Sequence, residues 1–284
     1  MVRAPMLLLR CPLVLVALLA GAVAAVHAGA GIPLVILLAA LLPAVTYAAV
    51  CAWIAHRLRH RVYVLAATFF FGAVIAASLS AIGNDLLHVW LTTWLGEQQA
   101  RALIPTLGAP VIEEASKALA LLALLAHLRG GFSTVVDGIL HGACVGIGFA
   151  MTENVGYFTL AAVQGGTAGL VRSVYLRGLV EGLNHATFTG AVGAGLGFAR
   201  VTASVRGRVV GPLGGFAAAV LQHVVWNLVA SRAVMDALCD PQVAGGACRS
   251  TPEPFALFAI VPLIVALAIG PGMIALLVIA ASGK

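Results

Sequence analysis

Five of the ten acidic residues lie inside strongly apolar stretches of the chain, where a charge opposes membrane insertion. These residues are Glu113, Glu114, Asp137, Glu153 and Glu181. An ionised side chain near the centre of a bilayer costs about 3 kcal/mol. Such groups are expected to be paired, protonated or in contact with a wet cavity. In a wet cavity, carboxylates can transfer protons or bind metal ions.

The segment Val111-Ile-Glu-Glu-Ala-Ser-Lys117 places two carboxylates within reach of one ammonium group. On a helix, Glu113 and Glu114 precede Lys117 by four and three residues, so both side chains lie near its own. Lys117 can hold one carboxylate ionised, while the second is crowded by a like charge. When the environment moves the pKa values of two titratable groups apart in this way, one group can act as an acid and the other as a base. A structural ion pair would need only one glutamate.

Glu153 lies between two aromatic residues on one predicted helical face. Phe149, Glu153 and Tyr157 follow at four-residue intervals, which predicts an inward-pointing carboxylate with a ring on either side. Asp137 and His141 have the same spacing. They lie at the start of the helix, where an N-terminal cap explains Asp137, and we interpret this pair as structural.

Two histidines lie on the next two predicted helices. Arg177, Glu181 and His185 repeat every four residues, which predicts that Arg177 and Glu181 pair, and His223 precedes Asn227 by one turn. The depths of Glu113, Glu153, His185 and His223 along their predicted helices agree to within roughly 6 Å. We therefore predict that four helices bring these groups together in the membrane.

The elements that position these groups are membrane helices. Hydrophobic residues form 62% of the 284-residue chain and charged residues 9%, which excludes a soluble domain of this size. We predict an all-α polytopic transmembrane bundle of about eight spans, or seven if the first is a cleaved signal peptide. The predicted spans are 12–28, 32–56, 62–83, 105–128, 134–162, 172–199, 211–232 and 255–280.

Three regions follow from this pattern. Residues 1–104 are predicted to be scaffold helices that end in a short interfacial helix or structured loop carrying Trp90 and Trp94. Residues 105–232 are predicted to form a catalytic four-helix core, packed closely through Gly138, Gly142 and Gly146. Residues 233–284 are predicted to form an external loop and a last helix.

The distribution of Lys and Arg predicts a multi-pass cell-membrane protein with both termini in the cytoplasm. The basic residues behind the net charge of +6 lie in short clusters between apolar runs, which indicates that they set the membrane topology rather than bind nucleic acid. Cys239 and Cys248 bracket a short polar loop on the outer side, and we predict a structural disulfide between them. Cys11, Cys51 and Cys144 are interpreted as apolar thiols.

Several separated motifs resemble the PrsW family of intramembrane proteases, within the superfamily that includes CAAX prenyl endopeptidases. They are Glu-Glu-x-x-Lys at 113–117, Asp-Gly-Ile-x-x-Gly at 137–142, Gly-Phe-x-x-x-Glu-Asn at 148–154, His185, and His-x-x-x-Asn at 223–227. The resemblance covers residues 105–230. It implies hydrolysis of peptide bonds in membrane-embedded or juxtamembrane proteins, such as anti-sigma factors. Carried over by motif, the catalytic set is Glu113, Glu114, Glu153, His185 and His223, supported by Lys117, Phe149, Asn154, Glu181 and Asn227.

Two mechanisms are compatible with these residues. In the first, a glutamate activates water and a histidine or Asn227 stabilises the oxyanion. In the second, His185, His223 and a glutamate such as Glu153 bind zinc, and another glutamate accepts the proton. The sequence has no His-Glu-x-x-His, so a metal is not required, and we favour the glutamate mechanism.

Two other functions remain open at the level of sequence. Intramembrane carboxylates and histidines also form ion relays, which would indicate an ion- or proton-coupled transporter. The motifs are not duplicated between the two halves of the chain, as inverted repeats would require. A non-catalytic scaffold of the same superfamily is the second alternative. The retained glutamates and histidines favour a protease whose partners are a membrane-protein substrate and the bilayer.

Overall fold

The computed structural model describes residues 31–57, 62–127 and 133–230, and every element within them is helical. The α-helices are α1 (Gly31–Arg57), α2 (Val62–Phe70), α3 (Ala77–Leu95), α4 (Glu97–Leu103), α5 (Ala109–His127), α6 (Val135–Ser173), α7 (Asn184–Val201) and α8 (Val205–Val225). Four π-helical segments continue or link them: π1 (Phe71–Ala76), π2 (Ile104–Gly108), π3 (Val174–Val180) and π4 (Trp226–Ala230). The predicted all-α class is confirmed. In lipid, a helix satisfies every backbone polar group internally, which explains why these apolar runs are helical.

Within the described residues, four helical stretches are long and apolar enough to cross a membrane. They are Pro33–His56, Tyr63–Leu95, Val135–Gly178 and Val205–Leu228. The predicted total of about eight spans is not confirmed. The predicted spans at 12–28 and 255–280, the predicted disulfide between Cys239 and Cys248, and Cys11 lie outside the described residues. The orientation of the termini and the three-region division remain predictions.

The predicted end of the third helix at residue 83 is wrong. α2, π1 and α3 form one helical stretch to Leu95, and Trp90 and Trp94 are exposed on it rather than on a separate interfacial helix or loop. The polar residues Asn84, Asp85 and His88 suggested a boundary that the helix crosses. The apolar stretch has 33 residues. At about 1.5 Å per residue its length is roughly 50 Å, so it is tilted or extends beyond a hydrocarbon core about 30 Å thick. It stops at Gly96, where φ is 85°.

α6 reverses direction at Gly166, whose φ of 59° and ψ of −148° are not helical. After the reversal, a side chain added at Gly169 would meet the carbonyl oxygen of Ala161, eight residues earlier. In a continuous helix these residues would be about 12 Å apart. The returning arm continues through π3, so the reversal lies between the predicted fifth and sixth spans.

The predicted sixth helix is not continuous. π3 ends at Val180, residues 181–183 form a bend and turn, and α7 begins at Asn184. His185 is therefore the second residue of a helix, rather than a residue about thirteen positions inside one. Gly182 lies in this turn, against Gly178 and the Tyr47 ring, where no larger residue fits.

Glycines set the distance between α6 and α7. A methyl group at Gly138, Gly142 or Gly146 would collide with the carbonyl oxygens of Gly193, Thr189 and His185, respectively. The predicted small-residue ladder is therefore the contact surface of these helices. Gly195 makes a similar approach to Gly211 on α8. These contacts bring the backbone at His185 directly against α6, and α8 against α7.

Candidate active site

Glu114 is fully buried and has a hydrogen-bonding partner on each of three helices. Its carboxylate accepts from Lys117 at 2.8 Å, lies 3.0 Å from His223 Nδ1, and accepts from the Thr189 hydroxyl at 3.3 Å. Lys117, on α5 beside it, is also fully buried. A buried carboxylate with this many partners is fixed in place. Glu114 therefore acts as the anchor of the cluster.

Glu113 has looser contacts and lines a cavity. Its carboxylate is 3.4 Å from Lys117 Nζ and 3.9 Å from His223 Nε2. The cavity beside it has a volume of ≈ 80 Å³. A water molecule needs only about 10–15 Å³ of such space, so the cavity can hold several. The two adjacent glutamates thus have different environments, as the sequence predicts.

The contact with Glu114 assigns the proton on His223. A carboxylate at hydrogen-bond distance from Nδ1 accepts a proton, so Nδ1 carries the hydrogen. In the neutral ring, Nε2 is then an acceptor, and this atom faces Glu113. His223 and Glu113 therefore present two acceptors near one point.

Lys117 assigns the opposite tautomer to His185. The ammonium group has only donors, and it lies 2.8 Å from His185 Nδ1, so Nδ1 accepts. The hydrogen of the neutral ring is then on Nε2, which donates to Glu153 at 3.0 Å. The ring centroid of His185 is 5.2 Å from that of His223 and 5.3 Å from that of Phe149, and Lys117 Nζ lies 3.9 Å from the centre of the Phe149 ring.

Arg177 completes the cavity wall, and sequence reasoning did not find its main partner. It donates to Glu153 at 2.7 Å and to the Asn154 side chain at 3.1 Å. Its guanidinium also lies 3.6 Å from the centre of the Tyr157 ring and 3.6 Å from Glu181. The predicted pairing with Glu181 is present. The shorter pairing with Glu153 crosses the reversal at Gly166, and no local spacing indicates it.

Three π-helical segments meet at the cavity. π2 contributes Pro105, π3 contributes Arg177, and π4 contributes Trp226 and Asn227. The Asn227 amide donates to the Pro105 carbonyl oxygen at 2.8 Å and so links π4 to π2. Single π-helical turns are frequent at functional sites because they displace side chains from α-helical register.

The structure brings Glu113, Glu153, His185, His223, Glu181, Asn154 and Asn227 to this one cavity. Glu114, Lys117 and Phe149 pack behind its wall, where they contact the histidines. Asn184 also lines the cavity and was not predicted. The Asn-His pair at 184–185 is its only sequence signal.

One group of potential metal ligands lies within the described residues. Glu113, His185 and His223 each offer a ligand atom, and these atoms lie within 4.8 Å of one another. This group contains Glu113 rather than Glu153, the carboxylate predicted as a metal ligand together with the two histidines. Glu153 is held instead by Arg177.

Comparison with known proteins gives one match. The model of the family described as PrsW family intramembrane metalloprotease matches residues 60–267, which is more than two thirds of the chain. No curated protein matches the chain. No solved structure matches it.

Proposed function

Because the chain belongs to the PrsW family of intramembrane metalloproteases, it is an intramembrane protease, and we propose that it is an endopeptidase using Glu113 as general base. Its substrates are membrane-embedded or juxtamembrane proteins, of which anti-sigma factors are one candidate class. One observation carries the assignment of the base: of the three glutamates that contact the two histidines, Glu113 makes the longest contacts, and it borders a cavity large enough for water and a peptide group.

The hydrogen-bonding pattern around the cavity suits the activation of water. Glu113 and His223 Nε2 are acceptors, so a water molecule between them would donate both hydrogens and direct a lone pair toward the substrate. On the other side, His185 Nε2 carries a hydrogen that Glu153 accepts, and this hydrogen would turn to the oxyanion when it forms. Glu113 and His223 can thus accept protons from water, while His185 can stabilise negative charge on the carbonyl oxygen.

Hydrolysis then needs no group beyond these residues, water and the peptide. Glu113 accepts a proton from water as its oxygen bonds to the carbonyl carbon, and the carbonyl oxygen becomes an oxyanion near His185. When the carbon–nitrogen bond breaks, Glu113 returns its proton to the leaving nitrogen. The products are a carboxylic acid and an amine, and Glu113 is again ionised.

The other buried residues position these three. Glu114 holds the His223 tautomer whose Nε2 is free to accept, and Lys117 holds the His185 tautomer whose Nε2 can donate. Arg177 holds Glu153 beside His185. Each acts through another side chain, so we assign Glu114, Lys117 and Arg177 positioning roles.

The family description implies a metal ion, and the residue types fit one. Two imidazoles and a carboxylate are the ligand set of many catalytic zinc sites, and here they would be Glu113, His185 and His223. Bound there, zinc would supply a water of lowered pKa and a Lewis acid. His223 Nε2 is free to ligate. His185 Nε2 becomes free only if the hydrogen bond from Lys117 to Nδ1 is given up, and this requirement separates the two mechanisms.

A test uses the purified full chain in lipid vesicles with a fluorogenic transmembrane reporter peptide. Glu113→Gln keeps the shape of the side chain and removes the base, so we expect the cleavage rate to fall by roughly 10²–10⁴-fold. Glu97→Gln is the matched control, because Glu97 is exposed on α4 and pairs with Arg101 outside the cavity. It is expected to cleave like the unmodified protein.

Cleavage by Glu113→Gln at the unmodified rate would refute the assignment of the base. Metal content and the effect of a chelator are measured on the same preparations. With a glutamate mechanism we expect activity to survive chelation, whereas stoichiometric zinc and loss of activity on its removal would establish the metal mechanism. A folded protein that cleaves no transmembrane reporter would favour a non-catalytic scaffold.

A further inference from the structure

The side-chain amide of Asn184 is buried in the cavity wall and has no hydrogen-bonding partner. Its residue is 3% exposed, and neither the side-chain nitrogen nor the side-chain oxygen has a partner. It is the first residue of α7 and directly precedes His185. Buried polar groups in folded proteins are nearly always hydrogen-bonded, so an amide with both groups unsatisfied needs a specific reason.

Such unsatisfied atoms are rare among the described residues. Their buried side-chain atoms without a partner are the two on Asn184 and the oxygen of Asn84. Asn84 still donates to Ser80 and does not line the cavity. Asn184 therefore combines two observations, an entirely unsatisfied amide and a place on the wall of the proposed active site.

We propose that Asn184 binds the backbone of one substrate residue, with its side-chain amide nitrogen donating to that residue's carbonyl oxygen and its side-chain oxygen accepting from the same residue's N–H. A carboxamide offers a donor and an acceptor side by side, and a residue of an extended chain offers the complement, because its own N–H and carbonyl oxygen point to the same side. This assignment rests on the proposed protease function and names a substrate-binding residue for it. The position next to His185 puts the bound peptide beside the donor that faces the oxyanion.

The pairing also specifies the conformation of the substrate. In a transmembrane helix, each carbonyl oxygen and N–H is already bonded within the helix. Asn184 can pair in this way only with a residue whose N–H and carbonyl oxygen have left their helical hydrogen bonds. The site therefore selects transmembrane segments that unwind locally, and helix-weakening residues near the cleavage point should strengthen binding.

The experiment compares two uncleaved reporter peptides bound to the full chain in phosphatidylcholine vesicles. Both have a leucine-rich transmembrane segment, and one has Gly-Gly in place of Leu-Leu at its centre. Binding is measured by fluorescence in a Glu113→Gln background, so turnover does not contribute. We expect the Gly-Gly reporter to bind about tenfold more tightly, the equivalent of one or two added hydrogen bonds.

Asn184→Leu is expected to abolish this preference, and Asn84→Leu, the matched control, to retain it. Because Asn184 has no partner to lose, Asn184→Leu should melt at or above the temperature of the parent, which a structural role would not allow. Asn184→Ala serves if leucine perturbs folding. A preference that survives in both Asn184 variants, or that is absent in the parent, overturns the proposal. The proposed base is judged separately, by cleavage.

Discussion

Two polar clusters include residues of α6, one with Asp137 and His141 near the start of the helix and one with Glu153 near the middle of its first arm, and they differ in what their groups contact. In the Asp137 cluster (Thr68, Ser133, Thr134, Asp137 and His141), the polar side chains form hydrogen bonds with other groups of the protein. Asp137 accepts from the backbone and hydroxyl groups of Ser133 and Thr134, which forms a capping box. The Thr68 hydroxyl donates to Val64, so His141 Nδ1 donates to Thr68.

The site cluster (Glu113, Glu153, Arg177, His185 and His223) contains the same kinds of groups but borders a cavity. Glu113 has only long contacts, and the side-chain amide of Asn184, which also lines the cavity, has no hydrogen-bonding partner. Carboxylate and imidazole are present in both clusters, so residue type inside a membrane helix does not by itself indicate function. Incomplete hydrogen bonding around a cavity is what distinguishes the site cluster.

The largest effect on stability should come from the centre of the site cluster. Lys117→Met removes the cation shared by Glu113, Glu114 and His185 and leaves buried carboxylates uncompensated. Loss of one partner of a buried ion pair costs about 3–5 kcal/mol, and we expect that loss in the free energy of unfolding, measured by denaturant titration in detergent. An unfolding free energy within 1 kcal/mol of the parent would mean that the network is not held by this ammonium group.

A change at the glycine interface should move the site cluster without altering its chemistry. Gly146→Ala would place a methyl group against the His185 carbonyl oxygen and displace α7. A misplacement of about 1 Å can lower catalysis by 10²-fold, so we expect a loss of that size in kcat/KM. Gly190→Ala is the matched control on the same interface, because its methyl group would meet only Ile139 at an ordinary 3.9 Å. Equal activity of the two variants would contradict the role of the close contact.

The smallest effect should come from the Asp137 cluster. Asp137→Ala removes the capping box at the start of α6, and loss of a cap costs about 1 kcal/mol of stability. Because this cluster does not border the cavity, the folded variant should keep a cleavage rate within about twofold of the parent. A tenfold loss of cleavage with the fold retained would show that the two clusters are functionally coupled.

Sequence reasoning predicted what depends on local spacing. The spacing of Glu113 and Glu114 from Lys117, the capping role of Asp137 and the glycine ladder all correspond to contacts in the structure. The predicted convergence of Glu113, Glu153, His185 and His223 on one cavity is also observed. The catalytic roles of these residues remain predictions.

Features that depend on distant contacts could not be predicted. Arg177 pairs with Glu153 only because the chain reverses between them, and Asn184 is distinctive only because its buried side-chain amide has no hydrogen-bonding partner. The boundary at residue 83 was wrong because polar side chains on a long helix can extend past the hydrocarbon layer while the backbone remains helical. Helix ends in a membrane protein are therefore set by backbone geometry, here at Gly96 and Gly166, more than by polarity.

Because the chain reverses at Gly166, the number of residues between Glu153 and Arg177 determines whether these two side chains meet. Each residue inserted into either arm would rotate the rest of that arm by about 100° about its axis and turn the guanidinium away from the carboxylate. Substitutions along the arms leave this count unchanged, whereas a single deletion alters it. We therefore expect the arms of this hairpin to tolerate changes of residue type but not of length, whereas Gly166 itself is required by its φ of 59°, a conformation that other residues rarely adopt, even though nothing packs around it.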